Sequence, residues 1–94
     1  MNKESLFITC NNKYGSESQI QKTREELAEL LLVLHHYFQN KVTLPAVIDE
    51  IADVSIMLEQ LKYCFSVPPE TFVMLVNKRI KYKLAYLQKK INDE

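Results

Sequence analysis

Apolar positions along this chain recur at three- and four-residue intervals in successive blocks, the period of amphipathic helices. Leu6, Phe7 and Cys10 predict a short helix over about residues 3 to 12. It ends in Asn11-Asn12-Lys13-Tyr14-Gly15, and Gly15 suits the left-handed turn that closes a helix. Ile20, Leu27, Leu30, Leu31, Leu34 and Phe38 form the stripe of a second helix, from Ser16 to about Asn40. Ser16 with Gln19 three residues later has the spacing of a capping box. The turn from Gln39 to Thr43 is short, so the third helix should return antiparallel. Thr43 can cap that helix, and Pro45 is tolerated in its first turn. Its stripe is Val47, Ile51, Val54, Leu58, Leu61 and Phe65, and Ser66-Val67-Pro68-Pro69 stops it. A fourth helix should run from about Pro69 to Ile91, with Phe72, Val76, Ile80, Leu84, Leu87 and Ile91 as its apolar face.

Composition agrees with this pattern. The 94 residues are 47% apolar and 26% charged, with one glycine and three prolines. So few turn residues point to an all-α single domain spanning residues 1–94. A chain of this size buries only about 60–65% of its unfolded surface. A four-helix bundle completed by a second copy, as a homodimer or homotetramer, is therefore expected. Twelve basic and twelve acidic residues cancel, which argues against a nucleic acid polymer as partner. No apolar run approaches ~18 residues, so no membrane span is expected. Met1 to Thr9 lacks a secretory leader pattern, and Cys10 and Cys64 read as two reduced thiols. The expected location is cytoplasmic.

The cancelling charges are not mixed evenly. Residues 1–69 hold six Lys/Arg and nine Asp/Glu, whereas residues 70–94 hold six against three. An acidic body is thus followed by a basic helix. Within the acidic part lies an internal echo. Residues 25–34, Glu-Glu-Leu-Ala-Glu-Leu-Leu-Leu-Val-Leu, match residues 49–58, Asp-Glu-Ile-Ala-Asp-Val-Ser-Ile-Met-Leu, at nine of ten positions in identity or chemical class. At about 100° per residue, Glu26 and Glu29 lie beside the stripe of Leu27, Leu31 and Leu34. Glu50 and Asp53 lie at the same angle to Ile51 and Leu58. Each pair is spaced i, i+3, so its members are surface neighbours. Four carboxylates at such a seam repel one another and resist burial. A divalent cation removes the conflict. Oxygen ligands with no Cys or His suit a hard ion, with Mg²⁺ the default and Mn²⁺ a substitute. No Glu-x-x-His occurs, which disfavours a dinuclear iron bundle. His35 and His36 read as helix rim, and Tyr37, Phe38, Tyr63 and Phe65 as core or interface aromatics.

Glu25-Glu26-Leu27-Ala28-Glu29 followed by Glu50-Ile51-Ala52-Asp53 resembles the MazG-like all-α nucleoside triphosphate pyrophosphohydrolases. Residues 47–61 look like compact bacterial and phage members, and Tyr14-Gly15 with Gln19 looks like the segment ahead of their first motif. Asp49 departs from the glutamate of many relatives, but it precedes the ligand pair. The resemblance implies that Glu26, Glu29, Glu50 and Asp53 hold Mg²⁺ and that Glu25 is an accessory catalytic acid. It implies cleavage of a nucleoside triphosphate between the α- and β-phosphates, in a bacterial or phage-infected cell. Asn77, Arg79 and Lys83 match the family's phosphate-contacting positions on the last helix, with Lys78 and Lys81 as alternatives. Gln19 is a candidate for reading the base. The rival expectations are a non-enzymatic helical module that oligomerises or binds nucleotide, and hydrolysis of a phosphoribosyl-ATP-type anhydride.

Overall fold

A computed structural model describes residues 1–94 as four α-helices with no strand. They are α1 (Lys3–Tyr14), α2 (Ser16–Phe38), α3 (Leu44–Gln60) and α4 (Pro69–Asp93), with a 3-10 turn at Leu61–Tyr63. Asn2 starts α1: its side-chain oxygen accepts the Ser5 N–H at 2.8 Å. Gly15 ends it at φ +89°, a backbone region that L side chains rarely adopt, and its amide donates to the Asn11 carbonyl at 2.9 Å.

The junction into α2 differs from the expected capping box. Gly15, not Ser16, stands at the cap position, and no side chain caps the helix. The Ser16 hydroxyl donates instead to Asn11 Oδ1 at 3.3 Å. Asn11 in turn donates to the Tyr63 carbonyl at 3.0 Å. This asparagine thus ties the α1–α2 corner to the end of α3. Thr43 does precede α3, but its hydroxyl makes no capping bond. The last turn expected of α3 is tightened into the 3-10 turn, which precedes Pro68 and Pro69.

The main packing is α2 against α3. On α2 the covered row is Gln19, Thr23, Glu26, Leu30 and Val33; on α3 it is Val47, Glu50, Val54, Met57 and Gln60. Both rows step by three and four, the spacing of a helix–helix seam. Phe7 of α1 and Cys64 complete the buried apolar set. Across the surface, Lys3 pairs with Glu59 at 2.9 Å and Lys62 with Glu4 at 3.1 Å. The Tyr63 hydroxyl also donates to Glu4. That bond, together with partial burial, pushes the Tyr63 phenol up to about 12.

The stripes expected to form the core are largely uncovered. Leu31 is 73% and Phe38 87% exposed, and Leu27, Leu34, Ile51 and Leu58 are about half exposed. The helices meet along a face rotated toward the acids, so the leucine stripe of α2 looks outward. On α4 every residue from Val73 to Asp93 is exposed. Stacking of Phe65 on Phe72, with centroids 5.5 Å apart, fixes only the helix start. No helix is long and apolar enough to cross a membrane.

Candidate metal centre

Glu26 and Glu50 occupy equivalent places in the two facing rows, one on α2 and one on α3. The sequence places them at the border of an apolar face; the structure puts them inside the seam. Glu26 is only 7% exposed and Glu50 is half-buried. One carboxylate oxygen from each of Glu26, Glu29 and Glu50 falls within 4.8 Å of the others. Asp53 lies outside that trio but lines a cavity of about 280 Å³ with Lys22, Glu26, Ile56 and Met57. Glu25 is exposed on the outer side of α2.

The electrostatics follow from this crowding. Burial, the facing Glu26 carboxylate and the charges of Glu29 and Asp53 push the Glu50 carboxyl up to about 7. The Glu26 carboxyl is held below the usual range, chiefly by Lys22, whose Nζ lies 3.1 Å from Oε1, and also by Glu50. Glu26 Oε2 and Glu50 Oε1 are buried with no hydrogen-bond partner. Unsatisfied buried carboxylate oxygens cost more than neutral acceptors. A hard divalent cation fits this donor set: clustered carboxyl groups, oxygen donors only, with an orphaned oxygen on two of the three residues.

The other candidate residues are placed less directly. Gln19 is buried on the same α2 row as Glu26, with the Thr23 hydroxyl donating to its backbone carbonyl at 2.8 Å. Asn77 lines a separate cavity of about 260 Å³ between α3 and α4, with Leu58, Lys62, Phe72 and Val76. Arg79 lies over the Tyr82 ring, 4.8 Å from its centroid, and Lys83 is exposed on the same helix. No ion pair or side-chain hydrogen bond joins Asn77, Arg79 or Lys83 to the acids. Lys22 and Thr23 were not singled out from the sequence. The i, i+4 spacing of Lys22 and Glu26 is the signal that could have found the lysine.

Comparison with protein-family models, with curated proteins and with solved structures found no match to this chain.

Proposed function

We propose that the chain is a divalent-cation-dependent nucleoside triphosphate pyrophosphohydrolase that works as a homo-oligomer. The observation that supports this reading best is the buried pair Glu26 and Glu50, each with an unpartnered oxygen, in a seam where apolar side chains would be more stable. A fold tolerates such a conflict where function requires it. Glu26, Glu29, Glu50 and Asp53 would hold Mg²⁺, or Mn²⁺ in its place. When bound, the ion supplies charge screening for a triphosphate and an acidified water for in-line attack at the α-phosphorus. The chain's own part is positioning: two facing helices hold the carboxylates in register, and Val54 and Met57 close the seam to water beside them. Glu25 serves as an accessory acid at the outer edge.

Arg79 and Lys83, one turn apart on α4, are the proposed contacts for the departing pyrophosphate, with Asn77 beside them. Gln19 is the proposed reader of the base. The bare face of α4 supports assembly with further copies as a dimer or tetramer, the basic helix meeting an acidic body. A second reading, a helical interaction module without turnover, draws on the same uncovered faces.

Incubation with a panel of nucleoside and deoxynucleoside triphosphates plus Mg²⁺, followed by product separation, tests the proposal. Monophosphate and pyrophosphate should accumulate with the wild-type chain and not with Glu50→Gln. A panel that stays intact overturns the enzymatic reading in favour of the module. With phosphoribosyl-ATP added to the panel, turnover restricted to that anhydride would move the substrate class.

A further inference from the structure

One cation, Lys22, is paired to the cluster of carboxylates. Lys22 sits one turn before Glu26 on α2, and its ammonium lies 3.1 Å from Glu26 Oε1. The two partners differ sharply in burial. The Lys22 side chain is 55% exposed, whereas that of Glu26 is 9% exposed. The lysine therefore reaches in from solvent to a carboxylate that cannot itself turn out. It pairs with one oxygen only; Glu26 Oε2 stays without a partner, as does Glu50 Oε1 across the seam. A single ammonium thus meets part of the demand of this cluster and leaves the rest open. Lys22 and Glu26 border an open cavity of about 280 Å³, with Asp53, Ile56 and Met57 on its other sides.

We propose that Lys22 is a displaceable counter-ion, an ammonium that holds Glu26 in the cation-free chain and leaves that carboxylate when a divalent cation binds. The inference rests on the metal-site reading above and adds a conformational step to it. A monocation and a dication on one carboxylate repel each other, so each weakens the other's hold on Glu26 even when they take different oxygens. Lys22 and the divalent ion therefore compete. The half-exposed lysine returns to water at little cost, since its charge is already largely hydrated. In the cation-free state the same pair offsets repulsion between Glu26 and the acids around it. Binding is then an exchange: one lysine contact is given up for ligation by several oxygens.

The test compares wild type, Lys22→Gln and Lys22→Arg by calorimetric titration with Mn²⁺ and by thermal melting with and without Mn²⁺. Lys22→Gln should bind Mn²⁺ more tightly by about two- to fivefold, the range that a half-exposed pair commands. Without Mn²⁺ it should melt below wild type, and at saturating Mn²⁺ the two should melt together. Lys22→Arg keeps the charge and should restore the wild-type affinity and melting point. Equal or weaker Mn²⁺ binding by Lys22→Gln, with wild type binding normally, overturns the counter-ion role alone. A wild-type chain that binds no Mn²⁺ overturns the metal site and this inference with it. A wild type that binds Mn²⁺ with the expected Lys22 effect but cleaves no nucleotide upholds the inference and removes only the enzymatic reading.

Discussion

At the scale of single residues, Glu26 and Glu50 are held where apolar groups would pack better. Burial and the neighbouring acids push the Glu50 carboxyl up to about 7, above its ordinary value of 4.5. A raised carboxyl favours folding while it is protonated. That contribution is fully present below about pH 4.5 and is lost as pH rises through about 7. The Glu26 carboxyl is shifted the other way, so its contribution is lost only as pH falls below 4.5. The cation-free protein should accordingly melt at a lower temperature near pH 8 than between pH 5 and 6. Glu50→Gln should flatten that decline, and an unchanged slope contradicts the burial argument. Mg²⁺ binding should weaken as pH falls below about 7, because the ion must displace the Glu50 proton. Glu29→Gln and Asp53→Asn should bind Mg²⁺ more weakly in calorimetry while melting, metal-free, no lower than wild type. The acids were legible from the duplicated motif. Their depth was not, because a helical wheel gives angles within one helix and not the rotation at which two helices meet. The leucine stripe suggested one rotation. The row of Gln19, Thr23 and Glu26 took the contact instead.

At the scale of elements, helix starts and stops were largely written in local chemistry. The proline pair, the single glycine and the three-to-four periodicity place all four helices to within a few residues. What local pattern could not show was competition for a side chain, as when Asn11 takes the Ser16 hydroxyl that a capping box would use. Gly15 gives a direct check. Open space surrounds its α-carbon, so a methyl group there meets no neighbour, yet its φ of +89° strains any L side chain. Gly15→Ala should therefore destabilise the chain by about 1–3 kcal/mol. It should leave Mn²⁺ affinity unchanged, because α1 supplies none of the acids. A melting temperature equal to wild type would show that the α1–α2 corner relaxes freely. The direction of α4 was not legible either. The prolines break the chain before it, but nothing local says whether the helix folds back or stands clear.

At the scale of the whole molecule, the exposed faces and the acid centre are two halves of one proposal. Phe38, Leu31 and a run of large apolar side chains along α4 are exposed, the kind of surface that a partner covers. Light scattering at micromolar concentration should return at least twice the 11.0 kDa chain mass. A monomer with full activity contradicts the assembly. Charge complementarity between the acidic body and α4 further predicts that assembly weakens at high salt. Arg79→Ala should lower activity by less than Glu50→Gln, since Arg79 is proposed only to contact the leaving group, whereas the proposed role of Glu50 is to hold the cation that acts on the triphosphate. A single contact of that kind is typically worth about 2.7–4 kcal/mol, or roughly 100- to 1000-fold in rate. Which bond breaks is read by phosphorus NMR of the first products from a deoxynucleoside triphosphate with Mg²⁺. The account predicts resonances of deoxynucleoside monophosphate and pyrophosphate in equal amounts, absent with Glu50→Gln. Deoxynucleoside diphosphate and orthophosphate as first products, or an unchanged triphosphate, would contradict it.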